Sequence, residues 1–304
     1  MSSRFDRIGF IGAGRTATAL ALGLNNAGYS VMAVASRSLA SAQSLAGKLP
    51  ACEALANPPD LLLRCDVVFL TVTDDVIGTV ASEIPWRERH SIVHCSGALS
   101  LDVLAPARER GALVGGLHPL QTFANREAGA DRLAGSTFAV DAVGELRLWL
   151  DEVVQRLGGH AIHLQPQDRP LYHAAAVIGC GYVATLLDAA AVVWEAMGFS
   201  REEAMRALLP LTRGTLDNVE SKGPKEGATG PIFRGDSGTV RHHLEALAER
   251  TPEVLPLYCQ AGMSMVDMAL DRGSIGPDEA RRVRSLLNAY LAPATESARV
   301  GARE

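Results

Sequence analysis

The chain has 304 residues, 47% hydrophobic and 21% charged, with a formal net charge of −5. That composition supplies a sizeable core and excludes the low-apolar signature of a disordered chain. The mildly acidic balance gives no electrostatic argument for nucleic acid or an anionic membrane as partner. Five scattered cysteines (Cys52, Cys65, Cys95, Cys180 and Cys259) form no C-x-x-C pair, so neither a disulfide framework nor a zinc site is expected, and a reduced cytoplasmic chain is. The charged first residues run straight into a strand pattern, so no signal peptide is expected.

Up to about residue 165, short β-branched runs alternate with helical patterns. Strands are expected at residues 8–11, 30–35, 67–72, 91–94, 113–115, 137–140 and 161–164. Helices are expected between them, at 16–27, 39–49, 76–84, 101–110 and 144–157. Such alternation predicts an α/β fold, a doubly wound parallel sheet with crossover helices. Residues 8–11 and 67–72 are apolar without alternation, as in strands covered on both faces. After Gln165-Pro166-Gln167-Asp168 the pattern becomes all-helical, with helices expected at 170–197, 201–219, 237–249, 252–272 and 277–290. Ser200, Ser237, Thr251 and Pro277 stand where caps or first-turn residues belong. Residues 220–236, rich in Gly and Pro, form the main loop, and the last dozen residues are expected to fray. Residues 174–194 lose their uncharged run at Asp188 and are diluted by Gly179 and Gly181. They read as a helix buried on most sides and not as a membrane span. Two domains follow, 1–165 and 166–304.

The strongest local signal is Gly12-Ala13-Gly14-Arg15-Thr16-Ala17, directly after the first strand and opening the first helix. Gly12 permits the tight turn, Gly14 leaves room for a diphosphate at the backbone, and Ala17 lets helix and sheet pack closely. A diphosphate would sit on unpaired N–H groups at the positive end of the helix dipole. This is the pattern of a Rossmann domain that binds a nicotinamide dinucleotide. At the end of the second strand, where an acidic residue would bind the ribose of NAD, stand Ser36-Arg37-Ser38. Arg37 can pair with a 2′-phosphate, at about 1.5–3 kcal/mol for a charge-assisted contact, so NADP(H) is the expected cofactor. A solvated surface arginine is the alternative.

Further strings are Val72-Thr73-Asp74-Asp75, His94-Cys95-Ser96-Gly97-Ala98-Leu99, Leu117-His118-Pro119-Leu120-Gln121-Thr122-Phe123, Leu171-Tyr172-His173-Ala174 and Gly230-Pro231-Ile232-Phe233-Arg234-Gly235-Asp236. In this order they resemble the family in which a Rossmann-like domain is followed by domain of unknown function 2520. That family is similar to pyrroline-5-carboxylate reductase, prephenate dehydrogenase and the β-hydroxyacid dehydrogenases. The resemblance implies a helical second domain that often builds a dimer, with the active site in the cleft between the domains. It names no substrate. The chain departs from the family at Cys180-Gly181-Tyr182, where Ser-Asn-Tyr is expected. Its only lysines are Lys48, Lys222 and Lys225, so the catalytic lysine of the β-hydroxyacid dehydrogenases has no counterpart on that helix.

Ligands of doubly wound sheets bind beyond the carboxyl ends of strands. Thr73 can touch the nicotinamide ribose there, while Asp74 and Asp75 can equally cap the following helix. Ser96 and Gly97 allow nicotinamide and substrate to come close, or form a plain tight turn. His118, with an imidazole of near-neutral pKa, is the first candidate to move a proton as hydride moves; holding its loop is the alternative. In prephenate dehydrogenases a similar His-Pro lies at the substrate pocket. Gln121 can only hydrogen-bond. His173 is the second candidate acid, or a structural residue; Tyr182 is core or presents its hydroxyl to the cleft. Arg234 meets an anionic group or a carboxylate, and Asp236 or Ser237 caps a helix. Adjacent His242 and His243 make no metal site, and none is expected elsewhere. His160 and His163 read as structural. The cofactor set is therefore Gly12, Ala13, Gly14, Arg15, Thr16, Ser36, Arg37, Thr73, Asp74, Ser96 and Gly97, with His118, His173 and Ser96 as catalytic candidates. The expected function is an NADP(H)-dependent reductase or dehydrogenase of a small C=N or C=O compound, as a homodimer. The alternative is a non-catalytic NADP(H)-binding sensor or assembly subunit.

Overall fold

Apolar runs form the strands Arg7–Ile11 (β1) and Ser30–Ala35 (β2), with the helix Arg15–Asn26 (α1) between them, in a computed structural model that describes residues 4–124 and 129–291. There follow Leu39–Ala46 (α2), Glu53–Leu55 (β3), Val67–Leu70 (β4), Asp74–Glu83 (α3), Ser91–His94 (β5), Ala105–Glu109 (α4) and Leu113–Pro119 (β6). Thr137–Asp141 (β7), Gly144–Arg156 (α5) and His160–His163 (β8) complete the sheet. The helical part comprises Arg169–Ala196 (α6), Arg201–Gly227 (α7), Ser237–Arg250 (α8), Leu255–Asp271 (α9) and Pro277–Leu291 (α10). The expected class, a doubly wound α/β sheet followed by helices, holds. The expected fraying of the last dozen residues lies outside the described residues.

The sheet order is β3-β2-β1-β4-β5-β6-β7-β8. Every neighbouring pair is parallel except β6–β7, which is antiparallel. This corrects the expectation of a parallel sheet at one pair: among the described residues only a 3-10 turn, Ala130–Arg132, and no α-helix lies between β6 and β7. β6 also runs on to Pro119, because its ladder with β7 extends from Gly116↔Asp141 to Pro119↔Phe138. His118 is consequently a strand residue and not a loop residue. β3 is a three-residue edge strand, too short to show a period. The expected helix 101–110 divides into a 3-10 turn, Leu101–Leu104, and α4.

Two cores cover the two faces of the sheet. On one, Phe10, Phe69, Val93, Leu117 and Phe138 pack under α1 and α5. Gly115 lets α5 approach, since a Cβ there would lie 3.1 Å from Leu146. On the other, Val68, Leu70 and Ile92 pack under α3 and α4.

The chain forms two compact units, Met1–Cys180 and Gly181–Glu304. In the second, α8, α9 and α10 enclose Val240, Leu244, Cys259, Val266, Val283 and Leu287. Ser200 opens α7 with a capping box to Glu203, and the Asp236 carboxylate accepts from Thr239 N at the head of α8. The expected loop 220–236 is shorter than read: α7 continues to Gly227 across a break at Gly223, whose φ of 80° suits glycine. α6 overturns an expectation. It is long and apolar enough to cross a membrane by length and composition, yet almost none of it is buried. Leu171, Ile178 and Tyr182 are 74%, 60% and 56% exposed, because the described residues of this chain leave that face uncovered.

Candidate functional site

The β1–α1 turn is built from glycines for two separate reasons. Gly12 has φ 111°, and a Cβ on it would lie 2.5 Å from the Thr71 carbonyl oxygen. Gly14 faces open space instead, with nothing within 4 Å of a Cβ. No side chain caps α1, whose N-cap is Gly14, so its first N–H groups remain for an acceptor from outside the chain. Ala13 and Ala17 are buried, Thr16 is half-buried and Arg15 is exposed. The Thr71 hydroxyl donates toward the Ile11 and Gly12 carbonyls at 3.2 and 3.3 Å, locking the turn to the end of β4. At the end of β2, Ser36 is half-buried and Arg37 exposed, without a partner among the described residues. Ser38 is committed to Ser41 N as the cap of α2.

Beyond β4 and β5 the chain makes a second construction. Thr73 is the exposed N-cap residue of α3, and Asp74 is its first helical residue. The Asp74 carboxylate does not cap the helix but accepts from Ser96 Oγ at 2.7 Å. The Ser96 oxygen in turn accepts from Ala98 N and Leu99 N at 3.2 and 3.1 Å. Ser96 is thus a buried turn-former whose proton is committed to Asp74. The turn presents Gly97 to the rings: a Cβ there would lie 2.8 Å from His173 Cδ2 and 2.9 Å from His118 Nε2. The His118 and His173 rings stand edge to face, 6.1 Å between centroids, and His118 Nδ1 lies 2.8 Å from the Tyr172 hydroxyl.

Electrostatics depart from the expected near-neutral histidine. Burial pushes the His118 imidazole down to about 4, with the His173 ring and the Arg169 guanidinium adding to the effect and Asp74 opposing it. Burial pushes the Tyr172 hydroxyl up to about 12, opposed by Arg169. At neutral pH His118 is a neutral ring beside a protonated phenol. With Tyr172 donating to Nδ1, the ring proton lies on Nε2, on the side of Gly97. The arrangement can offer a neutral hydrogen-bond donor to a polar double bond; it does not hold an imidazolium.

The structure thus brings together Asp74, Ser96, Gly97, His118 and His173. Several other residues are engaged elsewhere. Gln121 Nε2 donates to Ser136 Oγ at 3.2 Å and its Oε1 accepts from Thr122 N at 2.8 Å. His163 pairs with Asp151 at 3.4 Å, and Tyr182 and Arg234 are exposed. His243 Nδ1 lies 2.9 Å from the Tyr258 hydroxyl. Both line an apolar cavity of about 530 Å³ within the second unit, with Leu186, Trp194 and Met265. No cluster of three metal-ligating side chains occurs among the described residues. Sequence reasoning missed Thr71, Tyr172, His94 and Arg169. Tyr172 stood beside a named candidate, and Arg169 carried no local signal.

Residues 2–119 match the profile of the Rossmann-like domain, and residues 136–265 that of the Domain of unknown function (DUF2520). No curated protein matches the chain by sequence. Among solved structures it is similar to protein BF3122 of Bacteroides fragilis, at 24% identity and a TM-score of 0.70, covering 87% of this chain and 99% of that one. It is similar to 1-pyrroline-5-carboxylate reductase of Streptococcus pyogenes at 18% identity and 0.57, covering 96% and 100%. The reductive aminase of Aspergillus terreus, solved with NADPH and ethyl levulinate, aligns at 18% identity and 0.65, covering 94% and 99%. At these identities the likeness shows the fold.

Proposed function

The chain belongs to the family in which a Rossmann-like domain is followed by DUF2520, and we propose that it is an NADP(H)-dependent oxidoreductase of a small C=N or C=O compound, or of the corresponding amine or alcohol. The observation that carries this reading is a convergence at the carboxyl ends of neighbouring strands. The open glycine turn follows β1, Thr73 follows β4, the Ser96–Gly97 turn follows β5, and His118 is the penultimate residue of β6. In a doubly wound sheet this is where ligands bind.

The residues fit a dinucleotide. Gly12, Ala13, Gly14, Arg15 and Thr16 would take the diphosphate, and Thr73, Asp74, Ser96 and Gly97 would border the nicotinamide ribose. Ser36 and Arg37, the latter exposed and without a partner among the described residues, would take a 2′-phosphate, which favours NADP(H) over NAD(H). The bound dinucleotide supplies the hydride. The chain's part is to orient and to handle a proton. His118 Nε2–H would donate to the nitrogen or oxygen of the reacting double bond, as a neutral imidazole can. Tyr172 would hold the ring through Nδ1, the proton given up at Nε2 would be restored from water after turnover, and His173 would border the same space.

A homodimer is part of the proposal, motivated by the uncovered apolar face of α6 and by Leu211 and Leu216, exposed on α7. A second copy, and neither a bilayer nor nucleic acid, would cover that surface, in a cytoplasmic protein.

The test follows the absorbance of NADPH with a panel of small cyclic imines and ketones. A substrate should be found for which His118→Ala lowers turnover about 10²–10⁴-fold, with NADPH affinity unchanged. Tight NADPH binding without turnover on any compound would favour the sensor reading.

A further inference from the structure

Arg169 is completely buried, with 0% of its surface exposed, at the first position of α6. Three residues form a row across the sheet beneath it. Register pairs His94 of β5 with Gly116 of β6, and Gly116 with Asp141 of β7. Paired residues of neighbouring strands point to the same face. Arg169 Nε donates to Asp141 Oδ2 at 3.3 Å, and Nη1 donates to the Ser96 carbonyl at 3.1 Å. Gly116 makes the room: a Cβ on it would lie 2.9 Å from Arg169 Nη2 and 3.3 Å from His94 Nε2. Two positions along β6, on the same face, stands His118.

We propose that Arg169 is a positioning residue of the site: its guanidinium pins the Ser96 carbonyl, and so the Gly97 turn on which the His118 and His173 rings rest, and it sets a permanent positive charge on the same face of the sheet, over Gly116 and two strand positions from His118. Gripping Ser96 O fixes the peptide that leads into Gly97. The charge acts on His118 without touching it. Asp141 binds the guanidinium from the edge of the row but leaves its charge fixed on the side of His94 and His118. Both rings sense it, each being harder to protonate because of Arg169. The other ionisable groups facing His118 are Tyr172 and His173 on α6, Asp74 on α3 and His94 on β5. The inference rests on His118 as the group that meets substrate, but its test needs neither substrate nor cofactor.

The experiment is an NMR pH titration of the His118 ring in the full chain, assigned by the loss of its signals in His118→Ala. Arg169→Met should raise the His118 midpoint by about one unit, as expected for removing a nearby like charge. Arg169→Lys, which keeps the charge but cannot grip Asp141 and Ser96 together, should leave the midpoint near that of the parent while lowering Tm. A parental midpoint in Arg169→Met, or an equal rise in Arg169→Lys, would overturn the proposal, because Arg169 would then act through packing alone. If Arg169→Met does not fold, Asp141→Asn decides. By freeing the charge of its partner it should lower the midpoint; an unchanged or raised midpoint would overturn the proposal. Failure of this test leaves the reductase reading standing, and absence of turnover leaves this one standing.

Discussion

The Tyr172 hydroxyl lies 2.8 Å from His118 Nδ1, joining the start of α6 to the end of β6. The contact orients a half-buried, weakly basic imidazole: with the phenol, held up to about 12, as the donor, the ring proton sits on Nε2. Tyr172→Phe should therefore lower turnover about 10–100-fold, short of the loss from His118→Ala. NADPH affinity should stay within a few-fold of the parent. Equal activity of Tyr172→Phe and parent would remove the pair from the mechanism.

The same electrostatics sign the pH dependence of stability. His94 is pushed down to about 3, by burial first, then by Arg169 and His118, and His118 to about 4, from an ordinary value of 6.5. Each binds its proton less well folded than unfolded. Their contribution is complete above pH 6.5 and is lost as pH falls toward 4 and then 3. Urea melts between those limits should show unfolding linked to uptake of about one proton per ring. His118→Ala should flatten the slope, and a parent whose stability is level from pH 7 to about 4.5 would contradict the assignment.

Gly12 and Gly14 separate by their geometry. Gly12→Ala forces an alanine into φ 111° and against the Thr71 carbonyl. It should destabilise the fold by about 1–3 kcal/mol from backbone strain alone. Gly14→Ala meets no protein atom, so its Tm should be nearly parental while its NADPH affinity falls. Thermal melts and cofactor titrations on both variants check this; a Gly14→Ala that binds as the parent does would take the diphosphate away from this turn.

Ile178, 60% exposed on α6, tests the proposed dimer. Light scattering should give twice the chain mass for the parent and one chain mass for Ile178→Glu, since a charge in a buried apolar interface goes unpaired. A monomeric parent would end the dimer proposal.

What could be read from the sequence was local. Gly12 and Gly14 sit in a strand–turn–helix context, Ser200 and Glu203 spell a capping box, and the apolar run at β4 marks a covered strand. What could not be read was long-range. Tyr172 meets His118 across 54 residues, and Arg169 meets the Ser96 carbonyl across 73. No period or spacing connects such pairs; only the register of β5, β6 and β7 does. His118 was legible as a candidate, but its basicity was not. Burial, with the His173 ring and the Arg169 guanidinium close by, sets that, and burial is a property of the packed sheet. For the same reason α6 read as a core helix: its composition is that of a covered surface, and composition does not say which chain covers it.

NADP(H) binding by the first unit, through the glycine turn and Arg37, underlies the proposed function. A fluorescence titration with NADPH and, separately, NADH, on the parent and on Arg37→Ala, tests it most directly. NADPH should bind about ten- to a hundredfold tighter than NADH in the parent, from one charge-assisted contact, and Arg37→Ala should lose the preference. Binding of neither cofactor at physiological concentration would contradict it and leave the glycine turn a structural feature alone.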